Sequence, residues 1–120
     1  MNITIKALAG VALIAATAGA QAADLDAGKA AFTKFTCATC HGADAKTPTL
    51  PTYPILAGQH QDYLTHALRA YKRGAAGAPS TANLRKNAVM GAMVAQLSNA
   101  DMENIAAWLA TLDGPLAVRK

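Results

Sequence analysis

The chain has few cysteines, few aromatic residues and few charges, and these shortages exclude several classes of protein. Its two cysteines among 120 residues cannot make a disulfide-dense scaffold or a four-cysteine zinc site. The length allows one domain and is too short for a dinucleotide-binding unit joined to a substrate domain. Charged residues are only 15% of the chain while apolar residues recur with helical spacing, so we do not expect disorder.

The longest uncharged run lies at the N-terminus. It follows Lys6 and ends before Asp24, which is barely the length of a membrane span. Ala20-Gln21-Ala22 fits the small-x-small cleavage rule, so we expect residues 1–22 to be a signal peptide that is cleaved on export to the periplasm. An uncleaved anchor is the alternative. Because no second run approaches the length of a span, we expect no stable membrane insertion of the remaining domain, residues 23–120.

This remaining domain has little material for a core. It has 98 residues and a net charge of +3, since Lys6 is removed with the leader, and only 24 of the 98 are Val, Ile, Leu, Met, Phe, Trp or Tyr. Many of the other apolar residues are alanines, which bury little area each. A domain so small and so poor in large apolar side chains usually needs a metal, a cofactor or another staple.

The apolar periodicity of the domain is helical, and no segment alternates as a strand does. Four segments carry helix signals: residues 24–35, 59–73, 87–97 and the region from Ser98 to Gly114. In the last of these, Ser98 and Asp101 form a capping box. Gly74 is the expected stop of the second helix, and three prolines make residues 42–58 a loop. We therefore predict an all-α fold of three to five helices.

The chemistry of the chain lies in Cys37-Ala38-Thr39-Cys40-His41. Cys-x-x-Cys-His is the attachment signature of c-type haem. Two thiols three residues apart on a helical turn can each add to one vinyl group of a single haem, which aims the adjacent His41 at the iron. One covalent haem c also agrees with export and with a thin core.

Other interpretations of the two cysteines fit less well. A thioredoxin-like redox pair needs a βαβ context, and no strand pattern precedes Cys37. A zinc site needs a fourth ligand and usually a second pair, but His60 and His66 are six residues apart, outside the usual gap. An ordinary disulfide between Cys37 and Cys40 would close a strained two-residue loop.

The opposite face of the iron has five candidate ligands: Met90, Met93, Met102, His60 and His66. Met102 lies on the apolar stripe of the last helix, where core packing is the simpler role. The two histidines belong to the second helix, where a solvated surface role is simpler. Met90 and Met93 follow a flexible loop, and spacing alone does not choose between them. A thioether ligand raises the haem potential and closes the iron to oxygen and peroxide.

The domain resembles the class I c-type cytochromes, in particular the short bacterial monohaem type of cytochrome c-553 and the halves of the dihaem cytochrome c-four group. The resemblance covers nearly all of residues 24–113. Besides the haem signature, it rests on Gly28-x-x-x-Phe32, which in the family crosses an aromatic residue of the last helix, here Trp108, and on the segment Tyr53-Pro54-Ile55-Leu56-Ala57-Gly58-Gln59. It implies a small class I cytochrome c fold around one covalently bound haem.

The resemblance also implies roles for site residues. Cys37 and Cys40 are the implied attachment points. In the family the proline carbonyl of the second segment accepts the Nδ1 hydrogen of the proximal histidine, which implies that Pro54 orients His41. The interval between the family's methionine ligand and its Leu-Ser-x-x-Asp helix start implies Met90 as the axial ligand and Met93 as a residue that lines the pocket.

Together these features predict an electron-transfer protein and not an enzyme: a periplasmic carrier of single electrons between protein redox partners, or the electron-transfer subunit of a dehydrogenase. A cluster of cations near the methionines is a solvated face, a basic rim that steers partners with acidic docking faces, or a set of charges that neutralises the haem propionates: Arg69, Lys72, Arg73, Arg85 and Lys86. The alternative function is a haem enzyme or gas-binding sensor with an open sixth position. Nucleic-acid binding does not fit an exported chain with so few aromatic residues.

Overall fold

The fold of the protein is described by a computed structural model that covers residues 22–117. The expected signal peptide, residues 1–22, lies outside the described residues except for its last position. Five helices follow one another along the described chain: α1 (Leu25–Lys34), α2 (Ala38–His41), α3 (Gln61–Ala75), α4 (Ala88–Ala95) and α5 (Asn99–Thr111). Residues 22–117 contain no strand, and the predicted all-α class is confirmed. Within the same range, no helix is both long enough and apolar enough to cross a membrane.

Three of the helices begin at a side-chain cap that is visible in the sequence. Asp24 accepts a hydrogen bond from the backbone N–H of Ala27 at 2.9 Å, before α1. Asn87 accepts one from Met90 at 2.9 Å, before α4. Ser98 and Asp101 form the predicted capping box before α5, in which each side chain satisfies a backbone N–H of the other's residue. These caps fix where α1, α4 and α5 start.

Helices α1 and α5 cross closely at Gly28. A Cβ atom at this position would lie 2.1 Å from the carbonyl oxygen of Asn104 and 3.0 Å from the Cβ of Trp108, so only glycine fits without a shift of the backbones. The Phe32 and Trp108 rings lie one turn further along, with centroids 5.1 Å apart, an ordinary distance for a tilted aromatic pair. The crossing therefore has the glycine and the aromatic pair that the sequence predicted.

The prediction for Gly74 was wrong. Helix α3 does not stop there but continues to Ala75, and Gly74 does not have the positive φ of a C-cap glycine. Its role is steric, because a Cβ atom at Gly74 would lie 2.2 Å from the carbonyl oxygen of Arg85. The glycine thus lets the segment before α4 lie directly against the end of α3.

The core of the described chain is small and lies mainly along α5. The predicted stripe of this helix is buried at Met102, Ile105, Ala106 and Leu109, and it packs against Phe32 of α1 and Leu64 of α3. Few large side chains are completely enclosed, as the composition indicated: Phe32, Met102 and Val94. The space that these side chains leave open is a cavity between α5 and the elements that face it.

Candidate functional site

A cavity of about 600 Å³ lies beside the core, within the roughly 300–1,000 Å³ that cofactor and ligand sites usually occupy. Its walls come from α1, α2, the loop after α2, α3, α4 and α5. Apolar side chains predominate among its lining residues, including Phe32, Leu64, Leu68, Val94, Leu97 and Ile105. A volume of this size with few polar groups is suited to a large, flat, mostly apolar molecule.

Helix α2 places three chemically distinctive side chains on one wall of the cavity. Cys37, Cys40 and His41 all line it, and both cysteines are half-buried free thiols. Burial raises the pKa of the Cys37 thiol, which keeps it protonated at neutral pH. Because Cys37 directly precedes α2 and the other two residues lie within it, two sulfur atoms and an imidazole are presented to the same space.

The ring of His41 is buried and held by the loop after α2. Its Nδ1 atom lies 2.9 Å from the carbonyl oxygen of Pro54. A carbonyl oxygen can only accept, so Nδ1 carries the proton and donates it, which leaves the lone pair of Nε2 available for a metal. The Pro54 carbonyl therefore selects the histidine tautomer that metal binding through Nε2 requires.

The same loop is fastened to α2 by Thr49. The Thr49 hydroxyl lies 3.2 Å from the carbonyl oxygens of both Thr39 and Cys40, and the Thr49 backbone N–H donates to Cys40 at 3.0 Å. These bonds satisfy carbonyl groups at the end of α2, which a helix cannot satisfy internally. The prolines of the loop predicted its irregular path, but no local pattern indicated that Thr49 would hold it in place.

A tight turn at Asp44 begins this loop. The Asp44 carboxylate accepts from the backbone N–H groups of Lys46 and Thr47 at 2.9 and 2.8 Å, and these bonds hold the pKa of the carboxyl below its usual value. The next residue, Ala45, is buried with a φ of 55°. The Ala45 carbonyl accepts hydrogen bonds from the backbone N–H groups of both Leu56 and Ala57. These bonds connect the beginning of the loop to its end.

The wall formed by α4 carries both candidate methionines. Met90 and Met93 line the cavity, as expected for residues three apart on one helix. Met102 instead lies in the core with 1% of its surface exposed. His60 and His66 are exposed and do not line the cavity. The structure therefore brings two of the five candidate ligands to the same cavity as His41.

The basic cluster is largely engaged within the fold. Four of its five members make an intramolecular bond: Arg69 to Glu103, Lys72 to the Leu97 carbonyl, Arg73 to the Asn83 carbonyl and Arg85 to the Tyr63 hydroxyl. Lys86 is exposed and makes no side-chain hydrogen bond within residues 22–117. Within residues 22–117 the Arg69 bond is to a carboxylate, whereas the other three are to neutral oxygen atoms, so Lys72, Arg73 and Arg85 keep their positive charge.

Comparison with protein families and relatives gives consistent matches. The family model described as cytochrome c matches residues 25–113. Cytochrome c4 of Stutzerimonas stutzeri is 40% identical over 79 residues, which are 65% of this chain and 37% of that protein. The thiosulfate dehydrogenase electron acceptor of Stutzerimonas stutzeri (strain A1501) is 36% identical over 115 residues, 90% of this chain and 48% of that protein. Cytochrome c-554(547) of Halothiobacillus neapolitanus is 36% identical over 98 residues, 76% of this chain and 99% of that protein.

Among solved structures, the crystal structure of reduced recombinant cytochrome c4 from Pseudomonas stutzeri matches with a TM-score of 0.67 and 37% identity. The match covers 78% of this chain and 47% of the cytochrome c4 chain. The chain therefore spans less than half the length of the first two relatives named above and of this solved structure.

Proposed function

The chain belongs to the cytochrome c family, with the class I cytochrome c fold and the covalently bound haem c of that family, and on this premise we propose that it carries single electrons between protein redox partners. One observation carries the proposal. A single apolar cavity is lined by two thiols, a histidine of defined tautomer and two methionines. This donor set is the one that covalent attachment and two axial ligands require.

The residues of the cavity fit the haem group. Its volume and apolar walls suit a porphyrin, Cys37 and Cys40 would bind the two vinyl groups, and His41 and Met90 would be the axial ligands of the iron. Met93 would line the pocket. When bound, the haem supplies an iron that accepts and releases one electron without binding substrate.

The chain's own residues set the properties of that iron. The Pro54 carbonyl holds the proton on Nδ1 of His41, which raises the basicity of the opposite ring nitrogen. A thioether bond from Met90 would raise the potential and would keep oxygen and peroxide from the iron. The choice of Met90 over Met93 is supported by the family interval to Leu97-Ser98.

The proposed location and partners follow from the leader and from one relative. Residues 1–22 have the pattern of a cleaved signal peptide, so we place the working protein in the periplasm. The relative named as a thiosulfate dehydrogenase electron acceptor aligns with 90% of this chain. This supports a dehydrogenase of a small oxidisable substrate as electron donor, either in a transient complex or with this chain as its subunit.

The ligand assignment can be tested with matched methionine variants. Ferric haem with histidine and methionine ligands has a weak absorption band near the far red, which five-coordinate and bis-histidine haems lack. We expect Met90→Ala to abolish this band and to lower the midpoint potential, because the thioether ligand is lost. Met93→Ala is the control and should retain the band, since its side chain lines the same cavity without binding the iron.

Two results would contradict the proposal. Loss of the band in Met93→Ala and not in Met90→Ala would transfer the ligand role to Met93. A wild-type protein without the band, which binds carbon monoxide or reacts with peroxide, would favour the alternative of a haem enzyme or gas-binding sensor. The mass of the purified periplasmic protein provides the remaining check, since it should equal residues 23–120 plus one haem.

A further inference from the structure

One side chain with a permanent charge lines the cavity. Among the lining residues within residues 22–117 there is no aspartate, glutamate or lysine, and Arg85 is the single arginine. The other cations near α4 are engaged elsewhere or, like Lys86, border a separate shallow groove beside Gly74. Arg85 is partly exposed, so its charge lies where the apolar cavity meets solvent.

The guanidinium of Arg85 is held in place by two tyrosines. It lies over the ring of Tyr63 at 5.3 Å and over the ring of Tyr71 at 5.6 Å, both within the range of a cation–π interaction. Its Nη2 atom donates to the Tyr63 hydroxyl at 3.1 Å. This hydrogen bond is the main reason that the pKa of Arg85 is raised, and a guanidinium is charged at physiological pH in any case.

The backbone of Arg85 is fastened as well. Its N–H donates to the carbonyl of Ala70 at 3.1 Å, and its own carbonyl lies against Gly74, where any side chain would collide with it. A guanidinium has five N–H groups, and the described residues provide a side-chain acceptor for one of them, Tyr63. Arg85 is therefore a rigid cation with donors to spare at the wall of the cavity.

We infer that Arg85 binds the carboxylate side chains of the haem and fixes which edge of the haem lies beside α3. This inference rests on the proposed function. A haem carries two carboxylates on one edge, and each needs a hydrogen-bonding cation when it is placed against apolar walls. The planar fork of arginine matches a carboxylate with two parallel hydrogen bonds. The two tyrosine rings pre-organise that fork, which reduces the entropy lost on binding.

The assigned role has an electrochemical consequence. Reduction adds one negative charge at the iron, so a nearby cation favours the reduced state and raises the midpoint potential. Removal of the Arg85 charge also leaves the haem carboxylates without a counter-charge, and this acts in the same direction. The potential of the holoprotein should therefore fall when Arg85 is made neutral.

The test compares Arg85→Gln with Lys86→Gln in the haem-containing protein. The two variants remove the same formal charge from adjacent residues, but Lys86 does not line the cavity and is exposed. We expect Arg85→Gln to lower the midpoint potential, measured by spectroelectrochemistry, and Lys86→Gln to leave it close to the wild-type value. Equal potentials in the two variants would overturn the inference. So would a change confined to the salt dependence of electron transfer, which would assign Arg85 to partner docking.

A second variant covers the case in which Arg85→Gln fails to mature. Arg85→Lys retains the charge and removes the planar fork, so we expect the resonance Raman bending band of the haem carboxylates to shift relative to Lys86→Gln. An unshifted band would refute the contact. Failure of the proposed function is distinguishable from failure of this inference, because the wild-type protein itself would then lack either covalent haem or the far-red band.

Discussion

The crossing of α1 and α5 at Gly28 gives a prediction whose size follows from the geometry. In Gly28→Ala the new Cβ atom would lie 2.1 Å from the carbonyl oxygen of Asn104, 2.6 Å from its carbon and 3.0 Å from the Cβ of Trp108. Two of these three atoms are backbone and cannot rotate away. To restore an ordinary contact of at least 3.4 Å, the two helices must separate locally by about 1.3 Å.

The expected cost is the difference of two effects. Overpacking of this kind usually costs about 1–3 kcal/mol, and a separation of the helices also loosens the Phe32–Trp108 pair. Alanine recovers about 1 kcal/mol because it is a better helix former than glycine. These two terms leave a loss of about 0–2 kcal/mol, and because the aromatic pair is loosened as well, we expect the free energy of unfolding to fall by an amount in the upper half of that range, about 1–2 kcal/mol. The drop in Tm should be about 4–8 °C for each kcal/mol in a domain of this size.

The matched control is Gly91→Ala in α4. Gly91 is also helical and buried, but its new Cβ would lie 3.2 Å from the Cβ of Ala75 and 4.0 Å from the Ala75 Cα, which is an ordinary contact with the backbone. The control gains the same helix propensity without a clash against backbone, so we expect little or no loss of stability. Both variants are measured by denaturant unfolding of the haem-containing protein. If Gly28→Ala is as stable as the wild type, the close approach of the two backbones does not constrain this position.

Two further predictions concern the cap of α5 and the loop after α2. Ser98→Ala should cost about 1 kcal/mol at neutral pH. The bond from the Ser98 hydroxyl to the Asp101 carboxylate holds the pKa of Asp101 below its ordinary value, so its share of the stability is present above about pH 4 and is lost as pH falls through the lower folded pKa. The cap bond from the Asp101 backbone N–H to Ser98 does not titrate, so the difference between the unfolding curves of the two proteins should narrow in acid without vanishing. Thr49→Val removes the hydroxyl bonds to Thr39 and Cys40 and should cost about 0.5–1.5 kcal/mol in denaturant unfolding, whereas Thr33→Val, which removes a bond within α1, should cost less.

The parts of the fold that the sequence predicted well depend on short-range chemistry. The caps at Asp24 and Ser98 satisfy backbone groups within one turn, so the residue types alone indicate where α1 and α5 begin. The three prolines after α2 exclude a helix for a reason that applies in any context. The tautomer of His41 followed from the family resemblance, and its hydrogen bond to Pro54 spans only 13 residues.

Features that depend on tertiary contacts were not predictable in this way. Gly74 has the signature of a helix stop, but the Arg85 carbonyl that approaches it comes from a segment eleven residues later. The sequence placed the basic cluster near the methionines but did not indicate its bonds to Glu103 and to the Asn83 carbonyl, because these partners are remote in sequence or on the backbone. Helical spacing likewise placed Tyr63 and Tyr71 on α3 without indicating that one arginine lies over both rings.

The α2 wall and the α4 wall of the cavity are stabilised by different kinds of contact, and this difference bears on the proposed iron ligands. His41 belongs to the short helix α2, and Thr49 donates a hydrogen bond to the end of this helix. The His41 ring itself is hydrogen-bonded to the Pro54 carbonyl, so the position of His41 depends mainly on one loop. The α4 wall depends on contacts between separate segments: the Asn87 cap, the Arg85 backbone bond to Ala70 and the space beside Gly74. Local motifs therefore define the histidine side, whereas packing of α4 on α3 positions the two methionines, and under the proposed function it would decide which of them binds the iron.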